Sequence, residues 1–272
     1  MAPTGESQLT LPITRVNIQF SARTDVGKVR LANEDSLMTQ SPVFLVADGM
    51  GGHARGDAAS QTVVRVFDEH IATGEPSTPE RILDAIHSSN DAVRDLSAAD
   101  DFGTAVAGTT LTGVALVDAG DGLGHFWMAF NVGDSRLYRW DGRSIQQISI
   151  DHSAVQELVD AGLISANDAE HHPERNVITR AIGADEFVDP DVWMLPVDAH
   201  DAFLLCSDGL TKELDAHDIN RILAPRMATP ELRGTIADAL VDAALERGAS
   251  DNVSVIFIDS YSAAPTDIPP SG

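Results

Sequence analysis

Short, β-rich apolar runs that follow one another across turn residues constrain this chain more than any other feature. They cover 15–22, 43–47, 109–117, 125–132, 135–140, 190–197, 202–206 and 253–259, most of them bounded by Gly, Asp or Pro. The stretch VALVDAGDGLGHFWMAF reads as a hairpin with Asp and Gly at its turn, and SRLYRWDGRSIQQIS as a second one turning at Asp141-Gly142. Strand–helix–strand alternation, which a doubly wound parallel sheet requires, is scarce. The pattern predicts antiparallel sheets with helices packed outside them, an α+β fold.

The helices announce themselves separately. Ala59, Val63, Val66, Phe67 and Ile71 fall on one face of a helix over 56–72. Thr78-Pro79 pairs an N-cap residue with Pro at the first helical position and opens a helix to about 97. Thr229-Pro230 opens another, with Leu232, Ile236 and Leu240 along one side and Gly248 closing it. Val155, Leu158, Val159 and Gly162 predict a short helix in 153–162. No repeat or linker divides the middle of the chain. The 272 residues, 43% of them hydrophobic, suffice for one large core. The expected organisation is a flexible arm over 1–14, one domain over 15–261, and a disordered Pro/Ser/Ala-rich tail over 262–272.

Charge narrows the partners. With 42 acidic against 18 basic residues the formal charge is −24, which disfavours nucleic acid, whose phosphates need basic grooves. No apolar run is long enough to cross a membrane, and the N-terminus lacks a basic-then-apolar leader. A single cysteine rules out an intramolecular disulfide, so a reducing, cytoplasmic setting is expected; a monomer is the expected state. Most of the acids are explained by a solvated surface; position decides which are not.

Five places set acids beside strand ends: Glu34 and Asp35 in VRLANEDS, Asp48 in FLVADG, Asp134 in NVGDSRLY, Asp208 in FLLCSDG and Asp251 in GASDNVSVIFI. Asp-Gly is a common turn signal, and each site alone is accounted for that way. Together they admit a second reading, because clustered carboxylates repel one another unless a cation neutralises them. An oxygen-only set suits Mg²⁺ or Mn²⁺ rather than zinc, which favours His and Cys. Gly49, Gly51 and Gly52 suit either a tight strand-to-helix connection or the close approach of a substrate. A P-loop is excluded for want of Gly-Lys-Ser/Thr, and a serine hydrolase for want of G-x-S-x-G. CSDGLTK ends in Lys212 where a cysteine phosphatase needs Arg, which leaves Cys206 as a buried residue before an acidic tip.

Taken in order, the motifs GKVRLANEDS (27–36), FLVADGMGGHARGDAAS (44–60), GTTL (108–111), NVGDSRLYRW (131–140), DHS (151–153), HPERNVITRAIG (172–183), LLCSDGL (204–210) and GASDNVSVIFI (248–258) span nearly the whole chain. In this set the sequence resembles the metal-dependent (type 2C) protein serine/threonine phosphatases, in particular bacterial stand-alone catalytic domains. The resemblance implies a four-layer α-β-β-α sandwich, two antiparallel sheets flanked by pairs of helices, with a metal centre in a cleft at one end. It implies Mn²⁺ or Mg²⁺, two per chain with room for a third. Asp48 would bridge two ions, with Asp208 and Asp251 completing the first. The Gly49 carbonyl and Glu34 would serve the second, with Asp35 close behind, and Asp134 would join Asp208 at a third. Arg30 would grip the substrate phosphate, and 153–175 would form a flap beside the cleft.

The implied reaction is attack of a metal-bridging hydroxide on the phosphorus of phosphoserine or phosphothreonine, with no covalent enzyme intermediate. Phosphorylated proteins, including serine/threonine kinases, are the implied partners. His53 stands three residues beyond the position that carries a proposed general acid in DGHxG relatives. It reads either as that acid or as a helix-start histidine with a structural hydrogen bond. His152, His171 and His172 read as structural. The alternatives within this reading are an anti-sigma-factor-antagonist phosphatase, a hydrolase of small phosphoesters, and a pseudophosphatase that only binds. The last is disfavoured because Asp48, Asp208 and Asp251 are all present.

Overall fold

A strand with alternate side chains on opposite faces can be apolar throughout only if both faces are covered. The strand Val43–Met50 (β4) meets this condition. Val43, Leu45 and Ala47 pack into one core cluster, while Phe44 and Val46 pack into another. The computed structural model, which describes residues 4–11, 15–51, 55–98, 107–120, 122–169 and 171–263, resolves the arrangement as two antiparallel sheets.

One sheet runs in the order β1 (Thr4–Thr10), β2 (Arg15–Asp25), β12 (Val253–Ala263), β11 (His200–Cys206), β8 (Arg136–Trp140) and β9 (Ile145–Gln147). The other runs β10 (Asp191–Pro196), β7 (His125–Val132), β6 (Leu111–Asp118), β4 and β3 (Asp35–Gln40), with β5 (Gly108–Thr109) paired to the end of β4. Between the sheets lie Val16, Ile18, Phe203, Leu205 and Ile256 from the first, against Phe44, Val114, Leu116 and Trp127 from the second. Trp127 meets Phe203 edge-on across the gap, ring centres 5.5 Å apart.

Helices cover the outer faces. Ala59, Val63 and Phe67 of α1 (Gly56–His70) and Ile82, Ala85 and Ile86 of α2 (Pro79–Ala98) pack on the β4 sheet. Thr78 caps α2 as its sequence predicts, accepting the Arg81 N–H at 3.3 Å. α5 (Asp208–Thr211), α6 (Ala216–Met227) and α8 (Ile236–Arg247) cover the other sheet through Leu210, Ile219, Leu223, Leu240 and Val241. The fold is therefore α+β with four layers, as the resemblance implies. Two short helices, α3 (Ala154–Asp160) and α4 (Ala166–Ala169), lie in the flap segment, and α7 (Pro230–Arg233) precedes α8. No described helix is long and apolar enough to cross a membrane.

Three expectations change. Within the expected arm, Thr4–Thr10 is an edge strand paired in register with Arg15–Ser21, and Leu9 and Leu11 are buried against the inner core. Residues 1–3 and 12–14 lie outside the described residues. The helix expected over 229–248 is two helices, because Thr235 folds its hydroxyl back onto the Leu232 carbonyl at 2.7 Å and closes α7 after one turn. Ile236 and Leu240 then face the sheet, while Leu232 is exposed. Of the expected tail, Ser262 and Ala263 belong to β12, and 264–272 fall outside the described residues.

Candidate metal centre

The acids gather at one end of the sandwich because the strands and turns that carry them end there. Asp48 stands directly opposite Asp35 across β4 and β3. Its backbone is clamped: the Asp48 N–H donates to Thr110 Oγ1 at 3.0 Å, and its carbonyl accepts from the Thr110 N–H and Thr109 Oγ1, both at 2.9 Å. Gly49 follows because backbone crowds it. Its N–H donates to the Glu34 carbonyl at 3.2 Å, and a side chain there would overlap the carbonyls of Glu34 and Gly56.

Asp208 opens α5 at the end of β11, and Asp251 precedes β12. Asn252 ties the second of these to the loop before β3. Its Oδ1 accepts the Glu34 N–H at 2.9 Å, and its Nδ2 donates to the carbonyls of Val26 and Ala32 at 3.0 Å. Arg30 sits in the loop so held, its side chain half-exposed, with Nε 2.8 Å from Asp251 Oδ1 and Nη2 2.9 Å from Oδ2. Asp134 lies in the β7–β8 turn beside Ser135, whose hydroxyl meets that of Thr110 at 2.7 Å.

The tripeptide Asp151-His152-Ser153 holds three elements at once. Asp151 takes a two-pronged contact from Arg136 on β8. His152 is buried, and its Nδ1 accepts the Gly133 N–H at 3.0 Å while its own N–H donates to the Gly133 carbonyl. The proton on Nε2 then faces Asp191 Oδ2 at 3.3 Å, and burial keeps the ring neutral by lowering its pKa. Ser153 caps α3, the first helix of the flap, through the Gln156 N–H. The flap contributes Val155, Gln156, Val159, His171 and Arg175 to a cleft of about 1360 Å³ that also exposes Arg30, Glu34, Asp48, Gly49, Asp134, Asp208 and Asp251.

The electrostatics of this cluster are those of carboxylates short of positive charge. Burial, then the charges of Asp35, Asp208, Asp134 and Asp251, push the Asp48 carboxyl well above its usual range. Burial lifts Asp134 to about 7, aided by Asp208 and Asp151, and lifts Asp35 to about 6. Burial also raises Asp208 against the pull of Lys212, and raises Glu34. Asp251 alone moves down: burial opposes this, but Lys212 and Arg30 outweigh it. Both oxygens of Asp35 and one each of Asp134 and Asp208 are buried without a hydrogen-bond partner. Orphaned anionic oxygens with no nitrogen or sulfur among the donors fit hard divalent cations.

Of the expected site residues, the structure thus brings Arg30, Glu34, Asp48, Gly49, Asp134, Asp208 and Asp251 to one cleft, with Asp35 buried behind Asp48. His53 lies outside the described residues. Asn252 and Lys212 belong to the site but were not singled out from the sequence. Asn252 follows an acid already chosen, and Lys212 served there only to exclude a cysteine phosphatase. A tighter group, Asp215, His217 and Asp218, has its ligand atoms within 4.8 Å of one another. It is accounted for by capping, since Asp215 accepts the Asp218 N–H to start α6 and Asp218 pairs with Arg247.

A sequence model described as Protein phosphatase 2C matches residues 28–246. The serine/threonine phosphatase stp of Listeria monocytogenes is 32% identical over 254 residues, covering 87% of this chain and 94% of its own. The serine/threonine protein phosphatase PstP of Mycobacterium tuberculosis is 35% identical over 244 residues, covering 89% of this chain but 45% of PstP. The crystal structure of M. tuberculosis PstP/Ppp superposes with a TM-score of 0.76 at 34% identity, over 89% of this chain and 98% of that one. A PstP catalytic domain solved with two manganese ions gives a TM-score of 0.76 at 32% identity, over 90% and 99%.

Proposed function

The chain belongs to the protein phosphatase 2C family, and from that premise we propose how its cleft performs metal-dependent hydrolysis of phosphoserine and phosphothreonine in proteins. The observation that carries the reading is the set of buried carboxylates whose oxygens lack partners at the cleft floor. Asp48, Asp208 and Asp251 would hold one cation. Asp48, the Gly49 carbonyl and Glu34 would hold a second, and Asp134 with Asp208 a third. Asp35 supports Asp48 from behind. Divalent ions held there supply an acidified water and screen the repulsion between anions that slows phosphate ester hydrolysis.

The chain's own groups do the rest. Arg30 presents a planar fork that suits two phosphate oxygens as well as the two oxygens of Asp251 it now meets. Its half-exposed position on a tethered loop lets it change partner without moving the backbone. Asn252 keeps that loop in register with Asp251, and Thr109 and Thr110 fix the direction of Asp48. The flap helix α3, capped by Ser153, forms the wall along which a phosphorylated segment would lie. His53 is the candidate proton donor to the leaving oxygen.

We infer further that the catalytic unit takes in β1 as well as 15–261, since β1 buries Leu9 in the inner core. The single cysteine supports a reducing, cytoplasmic setting, and the family supports a monomer with serine/threonine kinases among its substrates. Release of phosphate from phosphoserine and phosphothreonine peptides, with and without Mn²⁺, tests the function. Turnover of p-nitrophenyl phosphate with none of the peptides would shift the assignment to small phosphoesters, and no turnover of either to a binding role.

A further inference from the structure

We propose that Lys212 is a resident counter-cation of the carboxylate cluster, competing with divalent ions for Asp208 and Asp251. The inference rests on the reading of these carboxylates as a metal site. Lys212 stands four residues after Asp208, at the end of α5. Its Nζ lies 2.5 Å from Asp208 Oδ2 and 2.9 Å from Asp251 Oδ2, so one ammonium spans two carboxylates that the chain brings together from β11 and β12. Its side chain is 31% exposed, withdrawn from solvent into the cleft. Asp208 keeps its other oxygen buried and without a partner, so Lys212 neutralises this acid only in part.

Charge balance gives the contact its meaning. Glu34, Asp35, Asp48, Asp134, Asp208 and Asp251 face two cationic side chains among the described residues, Arg30 and Lys212. With every acid ionised, the six carboxylates outnumber the two side chains paired with them by four, and taking Lys212 away raises that excess to five. A strongly hydrated point charge such as an ammonium offers carboxylates what a divalent ion offers, at lower charge and on a flexible stem. Arg30 cannot substitute for it, because both of its contacting nitrogens meet Asp251 and neither touches Asp208. Lys212 therefore holds the two acids together in the metal-free chain and weakens the first ion's hold by occupying the same oxygens.

Calorimetric titration of Mn²⁺ into chelator-treated protein, paired with metal-free thermal unfolding, tests this. K212M keeps the stem without the charge; K212R keeps the charge. K212M is expected to bind Mn²⁺ about five to ten times more tightly than wild type and, without Mn²⁺, to unfold at a lower temperature. K212R is expected to stay within about twofold of wild type in affinity. Equal or weaker Mn²⁺ binding by K212M overturns the proposal, as does an unaltered metal-free unfolding temperature. If K212M fails to fold even with Mn²⁺, Lys212 is holding the fold rather than balancing charge, and the proposal also fails. Wild-type protein that binds no Mn²⁺ overturns the metal-site reading itself, a result distinct from an unchanged affinity in K212M.

Discussion

Asp35 and Asp48 face each other directly across an antiparallel strand pair, two carboxylates where a sheet ordinarily places complementary side chains. Burial raises both, and Asp35 is the leading charge acting on Asp48. The pair fixes the pH response of the metal-free protein. Each of these acids, with Asp134, holds its proton to higher pH when folded than when unfolded. The folded state then binds more protons, and stability falls as pH rises from about 4, the unfolded carboxylate range, through about 7. Unfolding temperature in chelator should decline steadily from pH 5 to pH 8. Mn²⁺ should flatten or reverse the slope, and a metal-free protein that gains stability over that range would contradict the account.

Asp48→Asn and Asp251→Asn should each lower kcat/KM by at least about a hundredfold at saturating Mn²⁺. EDTA should abolish wild-type activity, and added Mn²⁺ should restore it. Calorimetry on the variants checks that the loss follows ion binding, which should weaken in parallel.

Arg30→Ala should raise KM for a phosphopeptide about tenfold and alter kcat less. An unchanged KM would count against a phosphate-gripping role.

Asn252→Ala removes one acceptor and two donors that join the arginine loop to β12, at a cost of about 2 kcal/mol in stability. Because the loop carries Arg30, KM should rise as well, in a protein whose direct metal ligands are intact. Denaturant unfolding alongside steady-state kinetics separates the two effects.

His152→Ala leaves the Gly133 N–H without its acceptor and should destabilise the protein by about 1–2 kcal/mol. Mn²⁺ should then bind more weakly at the site proposed for Asp134. His152→Asn can offer an oxygen at the Nδ1 position and should recover most of both losses.

What the sequence makes legible follows from distance along the chain. The β6–β7 and β8–β9 hairpins and the capped start of α2 depend on neighbours, and all three stand where local patterns put them. Edge strands β1 and β3 escape because one side of each faces solvent, so TGESQLT and DSLMTQ read as polar stretches. α6 escapes because Pro225 sits inside it. In the site, the acids are visible because an acid next to Gly or Asn at a strand end is a local signal. Asn252 and Lys212 are less visible: Asn252 meets the Glu34 N–H across 218 residues, and Lys212, though four residues from Asp208, takes its place in the cluster only by also meeting Asp251 across 39. His152 looks structural from sequence and is structural, but what it holds is the turn that carries Asp134.

The acids of the cleft are divided between the two sheets: Asp35 and Asp48 border one, Asp208 and Asp251 the other, and Asp134 sits in the turn that passes between them. No described strand belongs to both sheets, so side-chain interlocking across the inner core, together with the Asn252 and Thr110–Ser135 ties at the cleft end, sets their mutual alignment. An ion shared by Asp48 and Asp208 would act as a rivet through both plates. Phosphatase turnover would then double as a gauge of alignment at the sandwich centre, and cavities cut at Trp127 or Phe203 should be felt at the phosphate before the protein unfolds.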